Sequence, residues 1–191
     1  MKFEKEITVE VACSFEQLNE QLKKFGFKEV RQYDIRDIYM LEKRYKEENY
    51  LVQLDHCVLI RDIIEPDKEK KQIEYKYKEY GKNREILKQG KVNCKIESIK
   101  DAKKLLEYMQ YEELLRIDDH IIVYANQEDE IAVQLVNDKH IYIEIEEKCY
   151  TINRVYRNIE EMKNVIAKYT IPMKENNYYV RKAEIELRES K

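Results

Sequence analysis

The sequence is poor in the residues that separate domains, because its 191 residues include only three glycines and two prolines. A flexible hinge between independently folded domains is therefore not expected. No apolar run is long enough to span a membrane, and the amino-terminal MKFEKEITVEV lacks the continuous apolar core of a signal peptide. These absences predict a single cytoplasmic domain over residues 1–191 with no membrane partner.

Cysteine, histidine and net charge exclude several further classes of protein. The four cysteines form no CxxC pair and the three histidines show no ligand spacing, so neither a disulfide framework nor a zinc site is expected. The 36 basic and 39 acidic residues nearly cancel, which gives no overall case for nucleic acid as a partner. Hydrophobic residues make up 43% of the chain, which indicates a folded protein.

Hydrophobic periodicity predicts a mixture of strands and three helices. Residues 3–11 alternate between apolar and polar side chains, as in a strand, whereas residues 14–26 carry an apolar stripe of helical spacing behind a Ser14 cap. The segment from Lys174 onward is ambiguous between helix and strand. Further strands are predicted over 30–39, 57–64, 72–81, 92–96, 113–124 and the hairpin of 130–136 with 141–148, and further helices over 98–111 and 158–169.

The second half of the chain repeats the first in outline. Residues 14–30 align with residues 98–114, which places Ser14 on Ser98 and Leu22 on Leu106. Each segment continues into a long strand, so a duplicated β-α-β unit is the economical interpretation.

The polar faces of the predicted strands carry an unusual density of charge, and two arrangements would fit them. In one, the apolar faces pack on helices and the charged faces of an open sheet meet bulk water. In the other, about eight strands close into a barrel with helices outside, and the charged faces line a tunnel. These polar faces comprise Glu4, Glu6, Thr8 and Glu10, then Glu74, Lys76 and Lys78, and finally Glu144 and Glu146.

A tunnel of this kind suits phosphate chemistry. Glutamates hold Mg²⁺ or Mn²⁺ through hard oxygen ligands, while lysines and arginines neutralise the oxygens of a triphosphate. Both sets of charges are needed in the same cavity.

The order of the elements resembles the CYTH superfamily, which includes class IV adenylate cyclases and triphosphatases and is also called the triphosphate tunnel metalloenzymes. EITVEV (6–11) falls on the ExExK strand of that family, DIY (37–39) on D-x-Y, VLIR (58–61) on L-R-x-R, IEYK (73–76) on the lysine strand and YIEIE (142–146) on the late E-x-E strand. The resemblance covers residues 3 to about 150. It implies an α+β fold built on a closed or nearly closed antiparallel β-barrel of about eight strands.

The resemblance also implies a set of functional residues and a reaction. It implies a divalent-metal-dependent phosphoryl transfer on a nucleoside triphosphate or an inorganic or organic triphosphate. In the cyclases the ribose hydroxyl attacks the α-phosphate, and in the triphosphatases water attacks the terminal phosphate. The implied residues are Glu4, Glu6, Glu144 and Glu146 for the metal, Glu6 and Lys76 for catalysis, and Arg36, Arg61, Lys76, Lys78, Arg84 and His120 for the substrate.

Several motif positions depart from the family pattern. In the gap-free register Thr8 and Glu10 stand where ExExK has its second acid and its lysine, whereas a shift by two residues places Glu4 and Glu6 on the two acids and Thr8 on the lysine. Leu59 stands where L-R-x-R has its first arginine, and Asp118 and His120 occupy the K-x-R positions. Each lost charge-assisted contact costs about 1.5–3 kcal/mol of binding. An alternative is therefore a degenerate CYTH-like domain that binds a nucleotide, polyphosphate or protein without turnover; the sequence leaves a homodimer open.

Overall fold

The computed structural model describes residues 3–80 and 86–190, in which five α-helices surround a sheet of nine strands. The strands are β1 (Phe3–Glu4), β2 (Glu6–Glu10), β3 (Lys28–Glu42), β4 (Cys57–Glu65), β5 (Lys68–Tyr80), β6 (Ile86–Lys95), β7 (Tyr111–Ala125), β8 (Glu130–Val136) and β9 (His140–Glu146). The helices are α1 (Phe15–Lys24), α2 (Tyr50–Asp55), α3 (Ile99–Tyr108), α4 (Ile159–Lys168) and α5 (Lys182–Glu189).

The hydrogen-bonded order of the strands is β1-β6-β5-β4-β3-β7-β8-β9-β2. Strand pairs within it run antiparallel, as in β3 with β4, β4 with β5 and β8 with β9. The predicted α+β class with an antiparallel sheet is thus confirmed. Among the described residues no hydrogen-bonded pairing of β1 with β2 closes the order, so the closed barrel stays a prediction.

The chain divides into two compact units that are interleaved in the sequence. The first unit comprises Asp34–Asp118 together with the segment from Arg181 onward, and the second comprises Glu4–Tyr33 with Asp119–Val180. Strands β3 and β7 contribute residues to both units.

In the second unit, the apolar faces of the strands pack against helices α1 and α4. Strand β2 pairs Ile7 with Ile145 and Val9 with Ile143 of β9, so these four side chains fall on one face and are almost fully buried. Burying such a side chain stabilises the fold by about 1.5–3 kcal/mol. Leu18 and Leu22 of α1 and Met162, Val165 and Ile166 of α4 complete this core.

In the first unit, a smaller core lies between the sheet and helix α3. Ile38 and Met40 of β3 and Ile60 of β4 pack with Ala102 and Leu106 of α3. Because the side chains of a strand alternate between faces, these contacts leave Asp37 and Arg61 on the opposite face.

Capping side chains precede helices α1, α3 and α4, as the sequence predicts for Ser14. Ser14 forms a capping box with Gln17, and the side chains of Ser98 and Asn158 accept hydrogen bonds from the backbone of the first turns of α3 and α4. Such a cap stabilises a helix by about 1 kcal/mol. Helices α1 and α3 thus both follow a serine cap, and the duplicated β-α-β unit stays a prediction.

The carboxy-terminal segment, ambiguous in the sequence, holds a short extended stretch and then helix α5. Thr8 of β2 donates a backbone hydrogen bond to Tyr178 (3.1 Å) and accepts one from Val180 (3.0 Å). This stretch therefore covers the edge of β2 that β9 leaves unpaired. In the part of the chain that the structure describes, no helix is both long and apolar enough to cross a membrane.

Candidate functional site

Three carboxylates meet on the polar face of the second unit. Strand pairing places Glu6 directly opposite Glu146, and Thr8 opposite Glu144. One carboxylate oxygen from each of Glu6, Glu144 and Glu146 lies within 4.8 Å of the other two, and the three side chains are half-buried. We call these three residues the carboxylate cluster.

The local sequence explains why the cluster forms. Ile7, Ile143 and Ile145 are buried in the core, and the period-two alternation of a strand then turns the glutamates between them to the other face. The amide of Gln134 on β8, itself buried, donates to Glu144 Oε2 at 3.1 Å. This hydrogen bond fixes the orientation of one carboxylate of the cluster.

The cluster fits a divalent metal ion by its chemistry and nearly by its spacing. Mg²⁺ and Mn²⁺ prefer carboxylate oxygens, and three half-buried carboxylates repel one another unless a cation lies between them. Two ligands on opposite sides of Mg²⁺ lie about 4.2 Å apart, slightly below the 4.8 Å that bounds the oxygen separations here. Within residues 3–80 and 86–190, no other group of three or more His, Cys, Asp or Glu side chains comes this close together.

A cavity of about 180 Å³ adjoins the cluster within the second unit. This volume has room for a phosphate group and a hydrated ion. Its wall combines acidic, basic, aromatic and small apolar residues: Arg31, Tyr33, Val123, Glu130, Ala132, Gln134, Glu144, Glu146, Lys148, Cys149, Tyr150 and Thr151.

Arg31 and Tyr33 bring a cation and a phenol to this cavity. The guanidinium carbon of Arg31 lies 4.6 Å from the centre of the Tyr33 ring, a cation–π contact. Burial, and then the negative charge of Glu144, raises the pKa of Tyr33 to about 12. The phenol therefore stays protonated at neutral pH and can donate a hydrogen bond to an anion.

The first unit holds a second charged group, centred on Arg61. Arg61 donates to both carboxylate oxygens of Asp37, from Nε at 2.7 Å and from Nη2 at 2.6 Å, and its Nη1 lies 3.3 Å from Glu74 Oε1. Asp37 and Glu74 are buried. Although burial opposes the charge, the nearby Asp37 and Glu74 raise the pKa of Arg61, so the guanidinium remains ionised.

Lys76 lies beside this ion pair on β5. Its Nζ is 3.8 Å from Glu74 Oε1, and 25% of its side chain is exposed. Burial, followed by repulsion from Arg61 and Lys91, lowers the pKa of Lys76 to about 8. With this pKa Lys76 is still mostly protonated at pH 7, and an approaching anion would stabilise its charged form.

The other residues predicted from the sequence are placed differently. Lys78 shares the sheet face of Lys76 by strand alternation, whereas Arg36 is exposed and pairs with Asp62, on the face opposite to Asp37 and Arg61. His120 pairs with Leu135, which packs on the apolar core, so it lies on the face opposite to the carboxylate cluster and does not line the cavity. Arg84 and the side chain of Glu4 lie outside the described residues.

Several residues in these groups were not among the predicted site residues. Asp37 was part of the D-x-Y motif but was not assigned a role, and Glu74 was noted only as part of a charged face. Arg31 and Tyr33 occur in a stretch, KEVRQYDIRD, whose apolar residues are too sparse to show which face points inward. No sequence signal could therefore have singled out Arg31.

Comparison with solved structures identifies the fold. PH1819 protein from Pyrococcus horikoshii superposes with a TM-score of 0.68 over 97% of this chain and 99% of that one, at 16% sequence identity. A protein from Vibrio parahaemolyticus that carries the provisional name adenylate cyclase gives a TM-score of 0.61 at 13% identity, covering 98% of each chain. HpAC1 from Hippeastrum, provisionally an adenylyl cyclase and described as having a dominant triphosphatase activity, gives 0.59 at 12% identity, covering 98% of this chain and 96% of that one.

These likenesses show that the chain shares its fold with proteins that carry the names adenylate cyclase and adenylyl cyclase, which agrees with the fold that the sequence resemblance predicts. At 12–16% identity they show the fold alone. No protein-family model and no curated protein matches the sequence. The function must therefore be argued from the residues of the two charged groups.

Proposed function

We propose that the protein is a divalent-metal-dependent phosphoryl-transfer enzyme that acts on a nucleoside triphosphate or on another inorganic or organic triphosphate. The observation that carries this proposal is the cavity of the second unit, whose wall combines carboxylates of Glu144 and Glu146 with the cations Arg31 and Lys148. Opposite charges in one cavity are what a metal–phosphate complex requires. The adenylate cyclase and triphosphatase names of the structural neighbours agree with this substrate class.

In this proposal Glu6, Glu144 and Glu146 hold Mg²⁺ or Mn²⁺. When bound, the ion would neutralise phosphate oxygens and stabilise the charge that develops during transfer. Gln134 keeps Glu144 in its orientation, and Tyr33 and Arg31 offer a hydrogen bond and a positive charge to the phosphate.

Arg61 and Lys76 keep the phosphate-binding role that the CYTH resemblance implies, and Lys76 keeps its catalytic role. Arg61 uses Nε and Nη2 on Asp37 and directs Nη1 to Glu74, so these carboxylates hold its plane in a fixed orientation. The nearest carboxylate oxygen to Lys76 Nζ among the described ion pairs is Glu74 Oε1 at 3.8 Å, so Lys76 would supply a less constrained ammonium group. The closed tunnel, a homodimer, a cytoplasmic location and the absence of nucleic-acid and membrane partners remain predictions from the sequence.

The proposal is tested by thermal unfolding with ATP, tripolyphosphate or thiamine triphosphate, each with and without Mg²⁺ or Mn²⁺. A ligand at 100 times its Kd stabilises a protein by about 2.7 kcal/mol, which for a chain of this size raises Tm by about 5–10 °C. We expect a shift of this size with at least one triphosphate, and we expect it to require metal.

The same samples are then assayed for released phosphate and pyrophosphate. Metal-dependent product release supports the enzyme, with phosphate indicating a triphosphatase and pyrophosphate a cyclase. A metal-dependent Tm shift without either product would contradict the enzyme proposal and support the alternative, a domain that binds a triphosphate without turnover. If neither a Tm shift nor a released product is observed, the proposed action on a triphosphate is wrong.

A further inference from the structure

A tyrosine ring lies at the solvent-exposed edge of the cavity in the second unit. Tyr150 lines this cavity, yet 63% of the residue is exposed, whereas its neighbour Cys149 is only 5% exposed. Lys148, on the other side of Cys149, also lines the cavity and is exposed. The segment 148–150 therefore places an ammonium group and an aromatic ring at the edge of the cavity.

The backbone of this segment is held by a buried carboxylate. Glu130 of β8 accepts from Tyr150 N through Oε1 at 2.9 Å and from Thr151 N through Oε2 at 2.7 Å. The same Oε2 accepts from the Thr151 hydroxyl, and Cys149 N donates to the Arg154 carbonyl at 3.1 Å. Hydrogen bonds to an ionised carboxylate are among the stronger ones in proteins, so Tyr150 is fixed beside the cavity.

The charged groups of the cavity are more buried than this ring. Arg31, Glu144 and Glu146 are half-buried, whereas Tyr150 and Thr151 are exposed. The volume of about 180 Å³ has room for a phosphate group and a hydrated ion. A substrate whose phosphate occupied that volume would place its organic part further out, at the exposed edge that carries Tyr150.

An exposed tyrosine ring on a fixed backbone suits a planar aromatic partner. Every nucleobase has a π face that can stack on an aromatic side chain, and such stacking tolerates different bases. Tyrosine has only two χ angles, so little conformational entropy is lost when its ring is covered. Inorganic triphosphate has no group to place on this ring.

We propose that Tyr150 stacks on the base of a nucleotide whose phosphates occupy the cavity, which makes the substrate a nucleoside triphosphate. The inference rests on the proposed function, which leaves nucleoside, inorganic and other organic triphosphates open. It assigns the choice among them to Tyr150, which lies outside the five motifs that carry the CYTH resemblance.

The test is calorimetric titration of the full chain in Mn²⁺ with ADP and, separately, with pyrophosphate. Both probes lack the third phosphate on which the proposed reactions depend, so turnover does not disturb the binding equilibrium. Stacking of a base on an aromatic side chain corresponds to about 5–150-fold in affinity. We expect Tyr150→Ala to weaken ADP binding by a factor in this range, and equal ADP affinities of the two proteins would overturn the proposal.

Pyrophosphate reports whether Tyr150→Ala still has an intact cavity. Because this probe has no base to stack, we expect its affinity to stay within about twofold of the wild type. An equal loss of ADP and pyrophosphate binding would mean that Tyr150 acts on the phosphates or on the fold, and would also overturn the proposal.

Two further substitutions separate stacking from a general apolar contact. Tyr150→Trp keeps a planar ring and should retain most of the affinity for ADP, whereas Tyr150→Leu is apolar but not planar and should lose it as Tyr150→Ala does. Wild-type ADP affinity in Tyr150→Leu would contradict the stacking.

Tyr108→Ala is the matched control. Tyr108 is 74% exposed, belongs to α3 and is not among the residues that line the cavity. We expect its ADP affinity to stay within about twofold of the wild type, because surface substitutions away from a site have small effects. A loss as large as that of Tyr150→Ala would show that any exposed tyrosine matters equally, against the proposal.

The same titrations distinguish this inference from the proposed function. Metal-dependent binding of pyrophosphate, with ADP binding that does not depend on Tyr150, would remove the stacked base and leave phosphoryl transfer on a triphosphate standing. If the wild type binds neither probe, the proposed function itself is contradicted, and the inference with it.

Discussion

Replacing Glu146 with glutamine is expected to weaken the affinity of the protein for Mn²⁺ by at least about 100-fold. The change removes one of three carboxylates whose oxygens lie within 4.8 Å of one another and replaces it with a neutral amide of the same size. Residues that hydrogen-bond to metal ligands typically cost 10–100-fold in metal affinity when they are substituted. We expect the loss of a charged ligand itself to cost at least the upper end of that range. The measurement is the fraction of free Mn²⁺ by electron paramagnetic resonance, which does not depend on activity.

Glu147→Gln is the matched control for this experiment. Glu147 is the next residue along the chain, but its carboxylate pairs with Lys5 at 3.5 Å and is not part of the carboxylate cluster. We expect its Mn²⁺ affinity to remain within about twofold of the wild type, since exposed ion pairs contribute little. Equal Mn²⁺ binding by the wild type and Glu146→Gln would show that the cluster does not hold the metal.

The metal-free stability of Glu146→Gln separates a binding role from a structural role. Three neighbouring carboxylates repel one another when no cation is present, and removing one charge relieves part of that repulsion. In EDTA the variant should therefore unfold at a temperature no lower than that of the wild type. If the Glu146 carboxylate instead stabilised the fold, Glu146→Gln would unfold in EDTA at a lower temperature than the wild type.

The alternation of the sequence predicted the elements that build the carboxylate cluster, but not their pairing. The faces of β2 and β9 were predictable because Ile7, Ile143 and Ile145 alternate with glutamates. That Glu6 lies opposite Glu146 could not be derived, because the two residues are 140 positions apart and the register depends on the whole sheet. The CYTH resemblance supplied the association of these strands that periodicity could not.

His120 and Arg36 show where the sequence pattern fails. Around His120 the run HIIVYA is apolar on both faces, so nothing in it indicates that Asp119 rather than His120 shares a face with Gln134. Arg36 is among the substrate-binding residues expected from the sequence, yet its neighbour Asp37 is the residue that faces Arg61. In both places a shift of one residue reverses the face of the side chain.

The cavity residues on strand β3 could not be recognised from the sequence either. Arg31 and Tyr33 belong to the polar first half of β3, which lacks the alternation that marks an inward face. Their role emerges only when β3 is placed beside residues of β8 and β9 that line the same cavity. A sequence pattern reports which face of a strand is apolar, and it reports nothing where both faces are polar.

Replacing Asp129 with alanine is expected to destabilise the protein by about 3–5 kcal/mol, the cost of removing one partner from a buried network of charges. Only 2% of the Asp129 side chain is exposed. Its carboxylate accepts from the hydroxyls of Tyr169 (2.6 Å) and Tyr156 (3.1 Å) and from Lys168 Nζ (3.0 Å), and Arg154 Nε lies 3.3 Å away. These contacts join the turn before β8 to α4 and to the loop that precedes it, so chemical denaturation should show a lower midpoint.

The control and the pH dependence of this variant follow from the same geometry. Glu128→Ala removes an exposed carboxylate that also contacts Lys168, and we expect a loss of less than about 1 kcal/mol. Burial opposes the charge of Asp129, but hydrogen bonds from Tyr169 and Lys168 prevail and lower its pKa below the ordinary 3.8. The part of the stability that depends on its charge is therefore complete above pH 3.8 and is lost as the pH falls through the lowered folded-state pKa, so the difference in stability between the wild type and Asp129→Ala should narrow only in strong acid. A constant difference between the two proteins across that acid range, or an Asp129→Ala midpoint equal to that of Glu128→Ala, would show that the ionised carboxylate does not stabilise this turn.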